Sequence, residues 1–138
     1  MRLTKQAGAQ VIININASPY HIGKQEQRES QVAMQVQENN LPVIYVNQAG
    51  GQDELVFDGG SFAIDRGQNI LFRAAECGQG LYLIEYDKGT DDLTSLESIS
   101  PIKSNLASVY DVLVFGLKEY VSKNRFNGGL IGLSLIHI

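Results

Sequence analysis

Few side chains in this sequence can do covalent or ligand chemistry, and their spacing decides what that chemistry is. Cys77 is the only cysteine. It stands in Ala74-Ala75-Glu76-Cys77-Gly78 between two expected strands, with no base beside it, so it reads as a buried or incidental thiol rather than a nucleophile. His21 and His137 are too few and too far apart in the sequence for a metal site. His21 reads as a loop residue that hydrogen-bonds locally. Asp53, Glu54 and Asp58 surround Gly59-Gly60. Asp-Gly and Gly-Gly suit positive φ, so turn chemistry accounts for them, while a role at a subunit or domain interface stays open. Ser18 and Lys24 flank the loop Pro19-Tyr20-His21-Ile22-Gly23. By residue type alone, Ser18 caps a turn and Lys24 is a solvated lysine. Yet a cation at a helix start opposes the macrodipole, at a cost of ~0.3–1 kcal/mol. A residue placed against its local preference hints at another use.

The elements around these residues follow from pattern. Val11-Ile12-Ile13-Asn14-Ile15-Asn16 is short and β-branched, a buried strand. Residues 24–39 hold no breaker and are rich in Gln, Glu and Arg. Val32, Met34 and Val36 make a thin apolar stripe, so a mostly solvated helix is expected. Asn39-Asn40 and Pro42 end it. Val43-Ile44-Tyr45-Val46-Asn47 is a second buried strand, and the strand–helix–strand order predicts parallel or mixed pairing. Gly50-Gly51, Asp58-Gly59-Gly60 and Asp65-Arg66-Gly67 are turn signals. Between them lie short strands at 55–57, 61–64, 70–73 and 81–86, mainly antiparallel. Residues 88–105 are polar and serine-rich, a linker by composition. Leu106, Val109, Tyr110, Leu113, Leu117, Tyr120 and Val121 then mark an amphipathic helix over 106–124, and Gly128 opens a new apolar strand.

Bulk properties exclude several classes. The 138 residues are 43% hydrophobic and 19% charged, which suits a packed core rather than disorder. The net charge of −4, with no Lys/Arg cluster, argues against a nucleic-acid surface. The longest apolar runs are far too short to span a bilayer. Met1-Arg2-Leu3-Thr4-Lys5-Gln6 is basic but leads into no signal-peptide core. A single cysteine leaves no disulfide framework and suits a reducing, cytoplasmic setting.

Three blocks carry a resemblance. Asn16-Ala17-Ser18-Pro19-Tyr20-His21-Ile22-Gly23-Lys24, then Leu41-Pro42-Val43-Ile44-Tyr45-Val46-Asn47-Gln48, then Gly50-Gly51-Gln52-Asp53-Glu54-Leu55-Val56-Phe57-Asp58-Gly59-Gly60-Ser61 resemble the glutaminase domain of bacterial glutamine-dependent NAD synthetases. The third is the most specific. Val109-Tyr110-Asp111, Gly116-Leu117-Lys118-Glu119-Tyr120-Val121 and Gly132-Leu133-Ser134 resemble the entry into that family's synthetase domain.

The resemblance implies an α/β fold: the C-terminal part of a nitrilase-type αββα sandwich over residues 1–87, a linker over 88–105, and the first helix and strand of a Rossmann-like ATP-pyrophosphatase domain over 106–134. Residues 135–138 do not match and read as a cloning or assembly scar. In such enzymes a Glu-Lys-Cys triad hydrolyses L-glutamine. A second domain uses ATP and Mg²⁺ to activate nicotinic acid adenine dinucleotide, which ammonia converts to NAD. The family's triad lies upstream of Asn16-Ala17-Ser18-Pro19, so no catalytic residue is expected within this sequence. The resemblance places the substrate glutamine on Ser18 and Lys24. A free carboxylate calls for a cation and hydroxyl or backbone donors. Ser134 would open the ATP phosphate loop, but Leu135-Ile136-His137-Ile138 replaces its glycines, and such loops bind through successive glycine N–H groups. The expected parent is a cytoplasmic homo-oligomer with no nucleic acid, membrane or metal ligand contributed here. A stand-alone nitrilase or amidase, and a non-catalytic nitrilase-like interaction module, are the alternatives.

Overall fold

The computed structural model describes residues 1–130 and 132. A short helix α1 (Arg2–Gln6) precedes β1 (Ile12–Asn16), α2 (Lys24–Asn39) and β2 (Val43–Asn47). β1 and β2 pair in parallel, with Ile12 opposite Val43 and Asn16 opposite Asn47. α2 is the crossover between them, as the strand–helix–strand order predicts. α2 covers the expected span. It starts after Gly23 at φ 72° and stops at Asn40, whose φ of 49° is left-handed and whose N–H closes on the Val36 carbonyl. Asn tolerates that conformation better than most residues.

β3 (Ala49–Gln52) and β4 (Leu55–Asp58) form a separate antiparallel hairpin. β5 (Phe62–Ile64) pairs antiparallel with β2 and with β6 (Ile70–Arg73), giving a mixed sheet of order β1-β2-β5-β6. β7 (Glu85–Asp87) and β8 (Asp92–Thr94) make a second hairpin, and α3 (Asn105–Lys123) closes the described fold. Ser104 caps α3 through its side chain, which accepts from the Ala107 N–H. No helix among the described residues is long and apolar enough to cross a membrane.

The strand period of two divides the core between the sheet faces. Val43, Tyr45, Phe62 and Ile64 pack with Val36 of α2 on one face. Tyr45 and Phe62 are cross-strand partners and stack with ring centroids 4.8 Å apart. Ala63, Phe72 and Ala74 form a smaller cluster on the other, with Ile44, Leu71 and Ile84 against it. Phe62 is fully buried, and truncation to Ala there would cost ~3–5 kcal/mol.

Several sequence expectations change. Residues 81–84 do not form a strand. Leu81 and Leu83 are exposed, the Leu83 N–H goes to the Glu97 carboxylate, and Tyr82 leans on Phe72 with centroids 4.4 Å apart. Hairpin pairing begins only at Glu85. Gly50 and Gly51 are not a turn but lie in β3, and Asp53, at φ 52°, makes the turn. The glycines serve close approach instead. A Cβ on Gly51 would lie 3.3 Å from Glu119 Cβ, and one on Gly116 only 2.7 Å from Val56 Cγ2, so α3 rests directly on the β3–β4 hairpin. That packing turns the helix. Ser108 and Val112 are its buried residues, while Leu106, Tyr110, Leu113 and Leu117 of the predicted stripe face solvent. α2 is also less solvated than expected, because it buries Gln25, Arg28 and Asn39 as well as Val36. β8 lies inside the polar stretch read as linker, with Leu93 buried. Gly128–Leu130 are not strand, and the rest of that expected strand falls outside the described residues or on the isolated Gly132.

Candidate functional site

The loop from Ser18 to Gly23 leaves the C-terminal end of β1 and enters α2, so its course depends on what grips its first residues. Asn47, at the end of β2, holds one side. Its Oδ1 accepts from the Ser18 N–H at 2.9 Å, and its Nδ2 donates to the Ser18 carbonyl at 3.2 Å and the Gly59 carbonyl at 2.9 Å. Its own N–H donates to Ser61 Oγ at 3.0 Å. Its side chain thus ties the Ser18 loop to the Gly59 turn, and its backbone adds Ser61.

Arg28, one turn inside α2, holds the other side. Its Nη2 donates to the Ser18 carbonyl at 2.9 Å, to Ser18 Oγ at 3.2 Å and to the Pro19 carbonyl at 3.2 Å. The same guanidinium forks onto Asp58, Nη1 to Oδ2 at 2.7 Å and Nη2 to Oδ1 at 2.9 Å. Both side chains are almost fully buried. A planar, permanently charged fork matches a carboxylate in a way lysine cannot. Asp58 is therefore not the simple turn residue that its Gly59-Gly60 context suggested. Those glycines do adopt φ of 70° and 64°, and a Cβ on Gly60 would strike Gln25 Oε1 at 2.4 Å.

Ser18 and Lys24 stand at the two ends of this clamped loop. Ser18 is half-buried, and its oxygen accepts from Arg28, which leaves its hydroxyl proton available to another acceptor. Lys24 is the first residue of α2, and its N–H donates to the His21 carbonyl at 2.9 Å. Among the described residues this half-buried lysine has no side-chain hydrogen-bond or ion-pair partner. His21 is exposed, and among the described residues its ring pairs with the Ile22 carbonyl alone, the local role expected of it.

Lys24 lines a narrow cleft of about 30 Å³ whose wall includes Tyr20, Glu76, Lys103 and Ser108. Ser108 Oγ donates to Glu76 Oε1 at 3.2 Å and pairs with the Tyr20 hydroxyl at 3.1 Å, so α3 touches the loop itself. Lys103 donates to Asp111 at 2.6 Å, and this bond chiefly raises its pKa. Burial pushes the Cys77 thiol up to about 11, against a smaller opposing pull from Lys103. A thiol held that firmly protonated is a poor nucleophile.

No group of three or more His, Cys, Asp or Glu among the described residues could hold a metal ion. Ser134 and His137 fall outside the described residues. Asp53 and Glu54 form the exposed tip of the β3–β4 hairpin, away from the cleft. Sequence reasoning missed Asn47, Arg28 and Glu76. The signal for Arg28 was present, since a fixed positive charge inside a solvated-looking helix needs a partner once that face is buried.

No protein-family model matches the chain. Among curated proteins, the glutamine-dependent NAD(+) synthetase of Synechocystis sp. is 37% identical over 127 residues, covering 92% of this chain and 23% of the relative. The solved glutamine-dependent NAD+ synthetase of Acinetobacter baumannii, in complex with ADP, superposes with a TM-score of 0.84 at 32% identity, covering 91% of this chain and 24% of that one. A carbon-nitrogen hydrolase from Helicobacter pylori shares the fold at a TM-score of 0.50 and 14% identity, over 44% of its length. The chain spans about a quarter of the length of the synthetases it matches. The resemblance carried by the blocks around Ser18, Val43 and Asp58 thus extends through almost the whole sequence.

Proposed function

We propose that this chain is a segment of a glutamine-dependent NAD synthetase, contributing the C-terminal part of its nitrilase-like glutaminase domain and the entry to its synthetase domain. The observation that carries the reading is the continuous match to such synthetases over nine tenths of the chain, in sequence and in fold together. On this reading residues 1–87 belong to the glutaminase domain, 88–105 link the two, and 106–134 begin the synthetase domain. The parent enzyme hydrolyses L-glutamine to ammonia. It then uses ATP to amidate nicotinic acid adenine dinucleotide to NAD, as a cytoplasmic homo-oligomer.

Within that reaction this segment binds rather than transforms. Lys24 pairs the α-carboxylate of glutamine, and the Ser18 hydroxyl donates a second hydrogen bond to it. A cation and a hydroxyl at opposite ends of one loop suit a planar anion, provided the loop is rigid. Asn47 and the Arg28–Asp58 pair supply that rigidity by fixing the Ser18 and Pro19 backbone. The α2 N-terminus helps little, since Lys24 itself occupies its first turn. ATP and Mg²⁺ belong to the parent. The described residues offer no carboxylate cluster for the metal, and no step of the ATP chemistry is assigned to them.

The test is the full-length protein supplied with glutamine, ATP, Mg²⁺ and nicotinic acid adenine dinucleotide. NAD should form while glutamate accumulates in step. Hydrolysis of glutamine without NAD formation would point instead to an amidase, and no turnover of glutamine would sink the assignment.

A further inference from the structure

The cleft beside Lys24 holds an unsatisfied charge of the opposite sign. Glu76 follows β6 and bridges to Gly59. Its Oε1 accepts from Ser108, but its Oε2 is buried with no hydrogen-bond partner. A buried carboxylate oxygen without a donor is costly, and most such atoms in folded proteins find one. The other charged groups around the cleft are already engaged or open to water. Asp58 is forked onto Arg28, Lys103 donates to Asp111 and attracts Glu76 only through space without a hydrogen bond to it, the His21 ring pairs with the Ile22 carbonyl, and Glu26 is exposed. Among the described residues that line the cleft, Lys24 and Glu76 remain as one free cation and one half-free anion.

We propose that Glu76 accepts the α-ammonium group of the amino-acid substrate whose carboxylate Lys24 and Ser18 hold, so that the cleft selects a zwitterion. This rests on the glutamine reading above and adds the subsite for the amine. The space fits the task. A volume of about 30 Å³ admits a group the size of one water or one ammonium, not an entire amino acid. The ammonium group alone enters here, while the carboxylate stays at the mouth beside Lys24 and Ser18 and the side-chain amide points away from the cleft. Ser108, itself paired with the Tyr20 hydroxyl, fixes Oε1, so the other oxygen keeps its aim without help from the ligand. A site with Lys24 alone would accept any short carboxylic acid amide. Glu76 makes loss of the amine costly, because a buried acceptor then goes unpaired.

The experiment compares glutamine with its analogue bearing hydrogen in place of the α-ammonium group, in the full-length enzyme. KM for glutamine and Ki for the analogue are measured in wild type, Glu76→Gln, Ser108→Ala and Lys24→Ala. Glu76→Gln keeps the Ser108 bond and removes the charge. It should raise KM for glutamine about tenfold to a hundredfold while Ki of the analogue hardly moves. Ser108→Ala keeps the charge but frees the carboxylate to turn, and should shift the same ratio about two- to tenfold. If Glu76→Gln weakens both compounds equally, or neither, Glu76 is a structural prop and the proposal is wrong. Lys24→Ala separates the two levels, since both compounds carry the carboxylate. If it weakens neither compound, the glutamine assignment itself fails. If it weakens both while Glu76→Gln leaves their ratio unchanged, only the amine subsite fails.

Discussion

Arg28 and Asp58 are thirty residues apart in sequence and meet through two short hydrogen bonds of 2.7 and 2.9 Å, with 3% and 1% of their side chains exposed. The same guanidinium donates to the Ser18 and Pro19 carbonyls, so the pair holds the end of β4, the helix α2 and the start of the loop from Ser18 to Gly23 at one point. Removing one partner of a buried ion pair leaves an uncompensated charge, which costs ~3–5 kcal/mol. Arg28→Met and Asp58→Leu should each lower stability by that order in the full-length enzyme. The double substitution should lose less than the sum of the two, because it leaves no orphan charge. Urea unfolding of the four proteins measures this. Strict additivity would show that the two side chains do not act as a unit.

The elements that were legible in the sequence are those set by a local signal. α2 begins and ends where the Gly23 and Asn39-Asn40 breakers put it, and β2 occupies the predicted Val43 to Asn47 run. The β1–β2 pairing is parallel, as the intervening helix requires. What stayed hidden depends on partners far away in sequence. Gly50 and Gly51 carry the same local signal as a turn, but their need for space comes from Glu119 and Gly116 of α3. The stripe on α3 was read correctly as a periodic pattern, yet its direction was not. Small Ser108 and Gly116 permit close approach and so decide which face packs. Lys24 and Ser18 were legible as a loop pair through the resemblance. Glu76 was not, because only the folded chain shows that it shares a cleft with Lys24.

Cys77 should behave as an inert thiol. With its pKa pushed up to about 11 by burial, it holds roughly a hundredfold less thiolate at pH 8 than a thiol at the ordinary 9.0. Alkylation by iodoacetamide should therefore be slow at pH 8 in the folded protein and rise until about pH 11. Since this is the only cysteine, the purified 138-residue chain should release no ammonia from glutamine. Ammonia release above background, or fast alkylation at neutral pH, would restore Cys77 as a candidate nucleophile.

Expressed alone, the 138 residues should associate or bind hydrophobic dyes. α2 covers one face of β2, but Ile13 and Ile15 of the edge strand β1 are 60% and 78% exposed. Leu106, Tyr110, Leu113 and Leu117 of α3 are open as well, at 61% exposure or more. An uncapped apolar edge strand and a contiguous apolar helix face are both association surfaces. Light scattering and dye fluorescence at increasing concentration test this. A dye-silent monomer with a sharp cooperative melt would show that these surfaces are tolerated.

Lys24→Ala in the full-length enzyme should damage the use of glutamine and spare the use of ammonia. The lysine opens α2, where its charge opposes the helix dipole, and among the described residues its ammonium has no partner that would explain the placement. If it pairs the glutamine carboxylate, its loss removes a charge-assisted hydrogen bond of about 1.5–3 kcal/mol. That corresponds to a roughly tenfold to hundredfold lower kcat/KM for glutamine. Ser18→Ala removes a neutral donor worth about 0.5–1.5 kcal/mol and should act in the same direction but more weakly. NAD synthesis from added ammonium bypasses the glutamine pocket and should stay near wild type in both variants. Paired kinetics with the two nitrogen donors give the answer directly. An equal loss with both donors after Lys24→Ala would mean that the residue supports the fold or a domain contact, since a structural defect has no reason to distinguish glutamine from ammonium.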